Sequence, residues 1–117
     1  MNGSDAPSYD SMRNLRWSPA EKAIARKAFD LVLQREFSAV IDEARKMMAN
    51  VKQVSALWEL EQYLTERRKD IDRRYDYRYS VLPVVFGNLI SEGRLSEREL
   101  HGLGEDKLQC IRKYAKT

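Results

Sequence analysis

The sequence predicts an all-α protein: two long helices followed by a compact C-terminal group of short ones, with dimerisation through the long helices. Three observations carry the helical class. Among 117 residues, 33% are charged and 43% hydrophobic, with only 5 Gly and 3 Pro, a balance that favours helices over sheet or disorder. Apolar residues recur at helical spacing along most of the chain. Two Ser-x-x-Glu segments, Ser18 to Glu21 and Ser96 to Glu99, have the pattern that opens helices.

Residues 1–16 are polar, with Gly3, Ser4, Asp5, Pro7 and Ser8, and are expected to form a mobile tail before a single helical domain over 17–117. Order is expected to begin where Ser18 caps, Pro19 takes the first helical position and Glu21 completes a capping box. Ile24, Ala28, Leu31, Val32, Val40, Ile41, Ala44 and Met48 then predict a first helix over 19–49. A helix of that length calls for a second long element to pack on. The stretch from Asn50 to Ser55 reads as the joint, with Ser55 as the next cap. Leu57, Leu60, Leu64, Ile71 and Tyr75 form the seam of a second helix over 55–78. The pattern is close to a heptad, and Arg67 or Arg68 falls where another apolar residue belongs.

Ser80 is the expected cap of a third helix, 81–91, closed by Gly93, with Pro83 in its first turn. The alternative is a second helix that runs on and kinks at Pro83. Ser96 then opens a short helix ending near Gly102, and Gly104 precedes a last helix carrying Leu108, Ile111 and Tyr114. The C-terminal head is expected over about 80–115.

Composition excludes several chemistries. The net charge is +3, but the basic residues are mixed with 18 acidic ones, whereas nucleic-acid binding needs a clearer basic face. The segment from Arg94 to Lys113 faintly resembles a helix-turn-helix, but its second helix opens on Glu105 and Asp106, the wrong charge to meet DNA. One Cys, Cys110, and one His, His101, supply no metal-ligand set and no nucleophile–base–orienter arrangement. The chain is therefore expected to be non-enzymatic, with no cofactor and no metal. The apolar stretch Val81 to Ile90 is broken by Pro83, Gly87 and Asn88 and is too short for a membrane span, and the N-terminus lacks the pattern of a secretory signal. A lone cysteine suits a reducing compartment, so a soluble cytoplasmic protein is expected. Tyr75, Tyr77 and Tyr79 could be stacking platforms, but rings two residues apart on a helix diverge. They are expected instead to fill the junction between the second helix and the head.

A binding surface is the remaining candidate. On the second helix Trp58, Glu61, Gln62, Thr65, Arg68 and Asp72 share an arc of roughly 120° beside the apolar seam. A Trp beside an Arg has the composition of a protein-binding hot spot, joining a large aromatic area to a planar, bidentate cation. The competing reading makes Trp58 core filler and Arg68 an ordinary solvated charge. The seam residues Leu57, Leu60, Leu64 and Ile71 are the expected dimer interface.

The same residues carry a family resemblance. Trp17-Ser18, Ala20-Glu21, Arg26-Lys27-Ala28, Gln34-Arg35-Glu36 and Leu57-Trp58-Glu59-Leu60 come first. Arg68, Ile71-Asp72, Tyr75-Asp76, Arg78, Ser80-Val81, Val85-Phe86, Glu92-Gly93, Glu99-Leu100 and Asp106-Lys107 follow in the same order. Together they resemble the fluorescence recovery protein family over about residues 17–114. The resemblance implies an all-helical homodimer that binds the photoactivated orange carotenoid protein, mainly its C-terminal domain. Such a protein speeds the partner's return to the resting state and detaches it from the light-harvesting antenna. It implies roles for Trp58 and Arg68 as contact residues. The chain departs from the pattern at Glu61-Gln62, where the family carries His-Asp, at Val84, where it can present an aromatic, and at Cys110, a basic position. Loss of the Asp removes a charge that could pair with the arginine. The alternatives are a dimeric scaffold of this fold with a different protein partner and, second, a small DNA-binding regulator.

Overall fold

The computed structural model describes residues 12–116. Those residues hold four α-helices and no strand: α1 Pro19–Ala49, α2 Val54–Arg74, α3 Leu82–Ser91 and α4 Glu105–Tyr114. A short 3-10 helix, Glu97–Leu100, lies between α3 and α4. The tail expected over 1–16 lies outside the described residues up to position 11, and Met12 is already buried, at 1% exposure. The chain divides into two compact units, one running to Val32 and resuming at Asp76, the other spanning Leu33–Tyr75.

The first unit contains the start of α1, the 3-10 helix, α3 and α4. The predicted capping box opens α1: the Ser18 amide donates to Oε1 of Glu21 at 2.9 Å and the Glu21 amide donates to Oγ of Ser18 at 3.1 Å. Glu21 is itself buried, and its carboxylate also accepts the Gly104 amide at 2.7 Å and the Lys107 ammonium at 3.0 Å. One side chain thus caps α1 and holds the N-terminus of α4. Both groups have little water, so each satisfies the other's buried charge.

Pro83 sits in the first turn of α3, where its missing amide has no helical partner to lose. The cap is Val81 rather than Ser80, and it makes no side-chain cap bond. α3 is apolar on most sides and supplies Leu82, Val85, Phe86 and Leu89 to the core, with Leu100 and Ile111 beside them. It packs on α4 at Gly87, where an added Cβ would stand 2.5 Å from Cβ of Tyr114 and 2.8 Å from the Ile111 carbonyl. Only glycine permits that approach. Gly93, at φ +76°, closes α3. The second expected capping box, between Ser96 and Glu99, is also present. Arg112 of α4 pairs with Glu97 at 2.6 Å and with Glu105 at 2.8 Å on the surface.

The second unit is the hairpin formed by the rest of α1 and by α2. The cap of α2 is Gln53 rather than Ser55, so the helix begins a residue early. It ends at Arg74 rather than 78, and so stops well before Pro83. The reason lies in the residues that follow. Off the helix, Tyr77 stacks edge-on against Phe29 with centroids 4.8 Å apart, and Tyr79 lies 5.4 Å from both Trp17 and Tyr77. Arg26 and Lys22 of α1 sit over the Tyr77 and Tyr79 rings. Ring burial and cation–π contact outweigh one more helical turn. The divergence expected of rings two apart on a helix therefore does not apply, because Tyr77 and Tyr79 are not helical and meet each other. Tyr75 bonds within the hairpin instead, its hydroxyl donating to Glu36 at 3.0 Å.

A candidate protein-binding face on α2

The orientation of α2 follows from what it buries. Leu60 and Ile71 are each 8% exposed and form its inward edge with half-buried Arg67. Arg67 donates through Nη2 to Glu36 of α1, whose side chain is 2% exposed, and through Nη1 to Asp70 at 3.1 Å. The bond to Glu36 raises the Arg67 pKa above its usual value and outweighs the opposing effect of burial. Asp70 also receives Arg73 and Arg74.

The opposite face holds the six residues singled out in the sequence. Trp58 is 59% exposed, and Glu61, Gln62, Arg68 and Asp72 are exposed too, with Thr65 half-buried among them. The core-filler reading of Trp58 therefore fails. Gln62 bonds to Glu66 at 3.1 Å. Glu61, Arg68 and Asp72 form no ion pair with any described residue, unlike their neighbours Arg67 and Asp70. An exposed indole and an exposed guanidinium on one helix face, about 15 Å apart along its axis, suit contact with an extended, carboxylate-bearing protein surface.

The four residues of the expected dimer seam have different environments. Leu60 and Ile71 are buried within the hairpin, whereas Leu57 and Leu64 are 38% and 40% exposed. α1 adds an open apolar stripe: Phe37 at 43%, Ile41 at 48% and Met48 at 55%. With Ala44, these residues recur every four, three and four positions, a heptad signal that reading α2 alone does not reveal. Glu36 was likewise missed, since nothing in sequence marks it as the buried acid that Arg67 needs.

Of the remaining departures from the family pattern, Val84 is half-buried and Cys110 is 3% exposed. Burial, together with Asp106, pushes the Cys110 thiol pKa up, so this position contributes no surface chemistry. Among the described residues no group of His, Cys, Asp and Glu could hold a metal ion, and no helix is long and apolar enough to cross a membrane.

Comparisons agree with this architecture. Residues 17–115 match the family model described as photoprotection regulator fluorescence recovery protein. The fluorescence recovery protein of Synechocystis sp. is 34% identical over 100 residues, 86% of this chain and 92% of that protein. The solved structure of the Fremyella diplosiphon fluorescence recovery protein has a TM-score of 0.82 at 37% identity, covering 87% of this chain and all of that one. The Synechocystis structure likewise gives 0.82 at 33% identity and the same coverage. An all-helical chain with this order of helices, matched along nearly its whole described length, belongs to the fluorescence recovery protein family of photoprotection regulators.

Proposed function

We propose that this chain is a non-enzymatic, homodimeric regulator that uses the outward face of α2 to bind a photoactivated orange carotenoid protein at its C-terminal domain and speed its return to rest. The observation that carries the reading is the presence on one outward face of exposed Trp58 and of Arg68, which forms no ion pair with any described residue. A binder of this kind works by differential affinity: each tenfold preference for one partner conformer shifts that equilibrium by about 1.4 kcal/mol. Glu61, Gln62, Thr65 and Asp72 shape the surface around the two contact residues. Leu57 and Leu64, with Phe37, Ile41 and Met48, supply apolar area for a second copy.

The test is to mix the protein with photoactivated orange carotenoid protein and time the colour recovery. Acceleration by the wild type, lost on Arg68→Lys while helicity and dimer are kept, supports the reading. Unchanged recovery with a folded wild-type dimer overturns it and favours a different protein partner. The Glu61-Gln62 pair gives that alternative its basis, since Gln62 bonds to Glu66 and offers Arg68 no carboxylate. DNA binding has no such support: Glu105 and Asp106 open α4, and Arg112 is taken up by Glu97 and Glu105.

A further inference from the structure

Two stripes run along the hairpin at the same spacing. On α1 Phe37, Ile41, Ala44 and Met48 recur every four, three and four positions, and on α2 Leu57, Glu61, Leu64 and Arg68 do the same. At about 100° per residue the four α2 positions fall within about 60° of one another, a narrow seam of coiled-coil type. All four are exposed in the protomer. Glu61 and Arg68 lie two turns apart, about 10 Å along the axis, and neither forms an ion pair with any described residue. The seam therefore alternates an open leucine with an open charge, and the two charges have opposite sign.

Those charges decide what can cover it. A parallel second copy would set Glu61 against Glu61 and Arg68 against Arg68, like charges that cost affinity. An antiparallel copy reverses the order. The midpoint between positions 61 and 68 falls beside Leu64, so a two-fold axis there brings the Leu64 side chains of the two copies together and sets Glu61 opposite Arg68 twice over.

We propose that Glu61 of one copy pairs with Arg68 of an antiparallel second copy, and that the two reciprocal ion pairs set the direction and register of the dimer. This rests on the reading of the chain as a homodimer. Charged seam positions suit that task, because a shifted register leaves both charges against apolar surface. The pairing brings Arg68 the carboxylate that Gln62, an amide bonded to Glu66, does not supply. A guanidinium has five donors, so one carboxylate leaves an edge of Arg68 for a further protein partner.

The experiment is charge reversal, read as the dimer dissociation constant by sedimentation equilibrium, with helicity checked by circular dichroism. Glu61→Arg and Arg68→Glu each place like charges at both contacts and should raise that constant at least about tenfold. Mixing the two variants restores opposite charges at both contacts, so the mixture should form a heterodimer within about threefold of the parent. The double variant Glu61→Arg/Arg68→Glu should likewise dimerise as the parent does. Glu59→Arg makes the same change in charge about 200° round the helix from Glu61 and should leave the constant within about threefold. Single variants that dimerise as tightly as the parent overturn the pairing. So does a mixture no tighter than its components, or a Glu59→Arg variant as weak as Glu61→Arg. If one single variant fails to fold, the other and the double variant decide: a weakened single with a restored double supports the pairing, and any other combination overturns it. A parent that is monomeric at every concentration measured overturns the homodimer reading and the pairing with it, whereas a dimeric parent with indifferent variants overturns the pairing alone.

Discussion

Replacing Glu21 by Ala should unfasten the first unit at a single point. The carboxylate accepts the Ser18 amide at 2.9 Å, the Gly104 amide at 2.7 Å and the Lys107 ammonium at 3.0 Å. Losing the cap interaction costs about 1 kcal/mol. Losing the bond from the Gly104 amide to a charged acceptor costs about 1.5 kcal/mol more. Lys107, 5% exposed at its side chain, keeps the Asp106 carboxylate, also at 3.0 Å and itself half in water, and the face of the Trp17 ring. Breaking a buried pair costs about 3–5 kcal/mol, and the surviving Asp106 contact puts the expected total near the lower end. Urea unfolding followed by helical circular dichroism measures this, and a loss below about 1 kcal/mol would refute the reasoning. The pH dependence gives a second view. Burial alone would raise the Glu21 pKa, but the Ser18 and Gly104 amides and Lys107 outweigh it and push it down to about 2. With a folded pKa below the unfolded one, the contribution is complete above the ordinary 4.5 and is lost as pH falls from there to about 2. After solvent screening the loss should be about 2 kcal/mol, and Glu21→Gln should flatten that part of the stability profile.

Gly87→Ala places a methyl group 2.5 Å from Cβ of Tyr114 and against the Ile111 carbonyl, so α3 and α4 must separate. It should destabilise by about 1–3 kcal/mol in the same urea assay, and a neutral result would mean the helices yield freely there. Leu64→Asp changes a side chain that is 40% exposed in the protomer. It should therefore keep helicity while giving a monomer by light scattering, and a persistent dimer would remove Leu64 from the interface. Cys110, buried with a raised thiol pKa, should react with a thiol reagent only as fast as the protein opens. Labelling that is rapid and insensitive to stabilising conditions would contradict its placement.

Local chemistry accounts for the parts of the fold that were legible. The starts of α1 and α4 follow from Ser18, Pro19 and Glu21 in the one and Gly104 in the other, signals that act within a few residues. The grouping of Trp58, Glu61, Gln62, Thr65, Arg68 and Asp72 in one arc follows from helical periodicity alone. The end of α2 was misplaced because the sequence from Asp76 to Tyr79 carries no helix breaker. What stops the helix there is the set of rings on Phe29 and Trp17, about fifty or more residues away in the chain. The four-residue seam was likewise read as one surface, although only distant α1 residues decide which of its members are buried.

Helical class, the two capping boxes and the grouping of Trp58 with Arg68 were thus properties of the chain's local order, because helix periodicity and capping need no tertiary partner. The choice between Arg67 and Arg68 was not. It depends on the burial of Leu60 and Ile71 within the hairpin, which turns Arg67 toward the Glu36 carboxylate about thirty residues earlier. Periodicity places both arginines on α2, but only the packing of α1 on α2 determines which one faces the solvent.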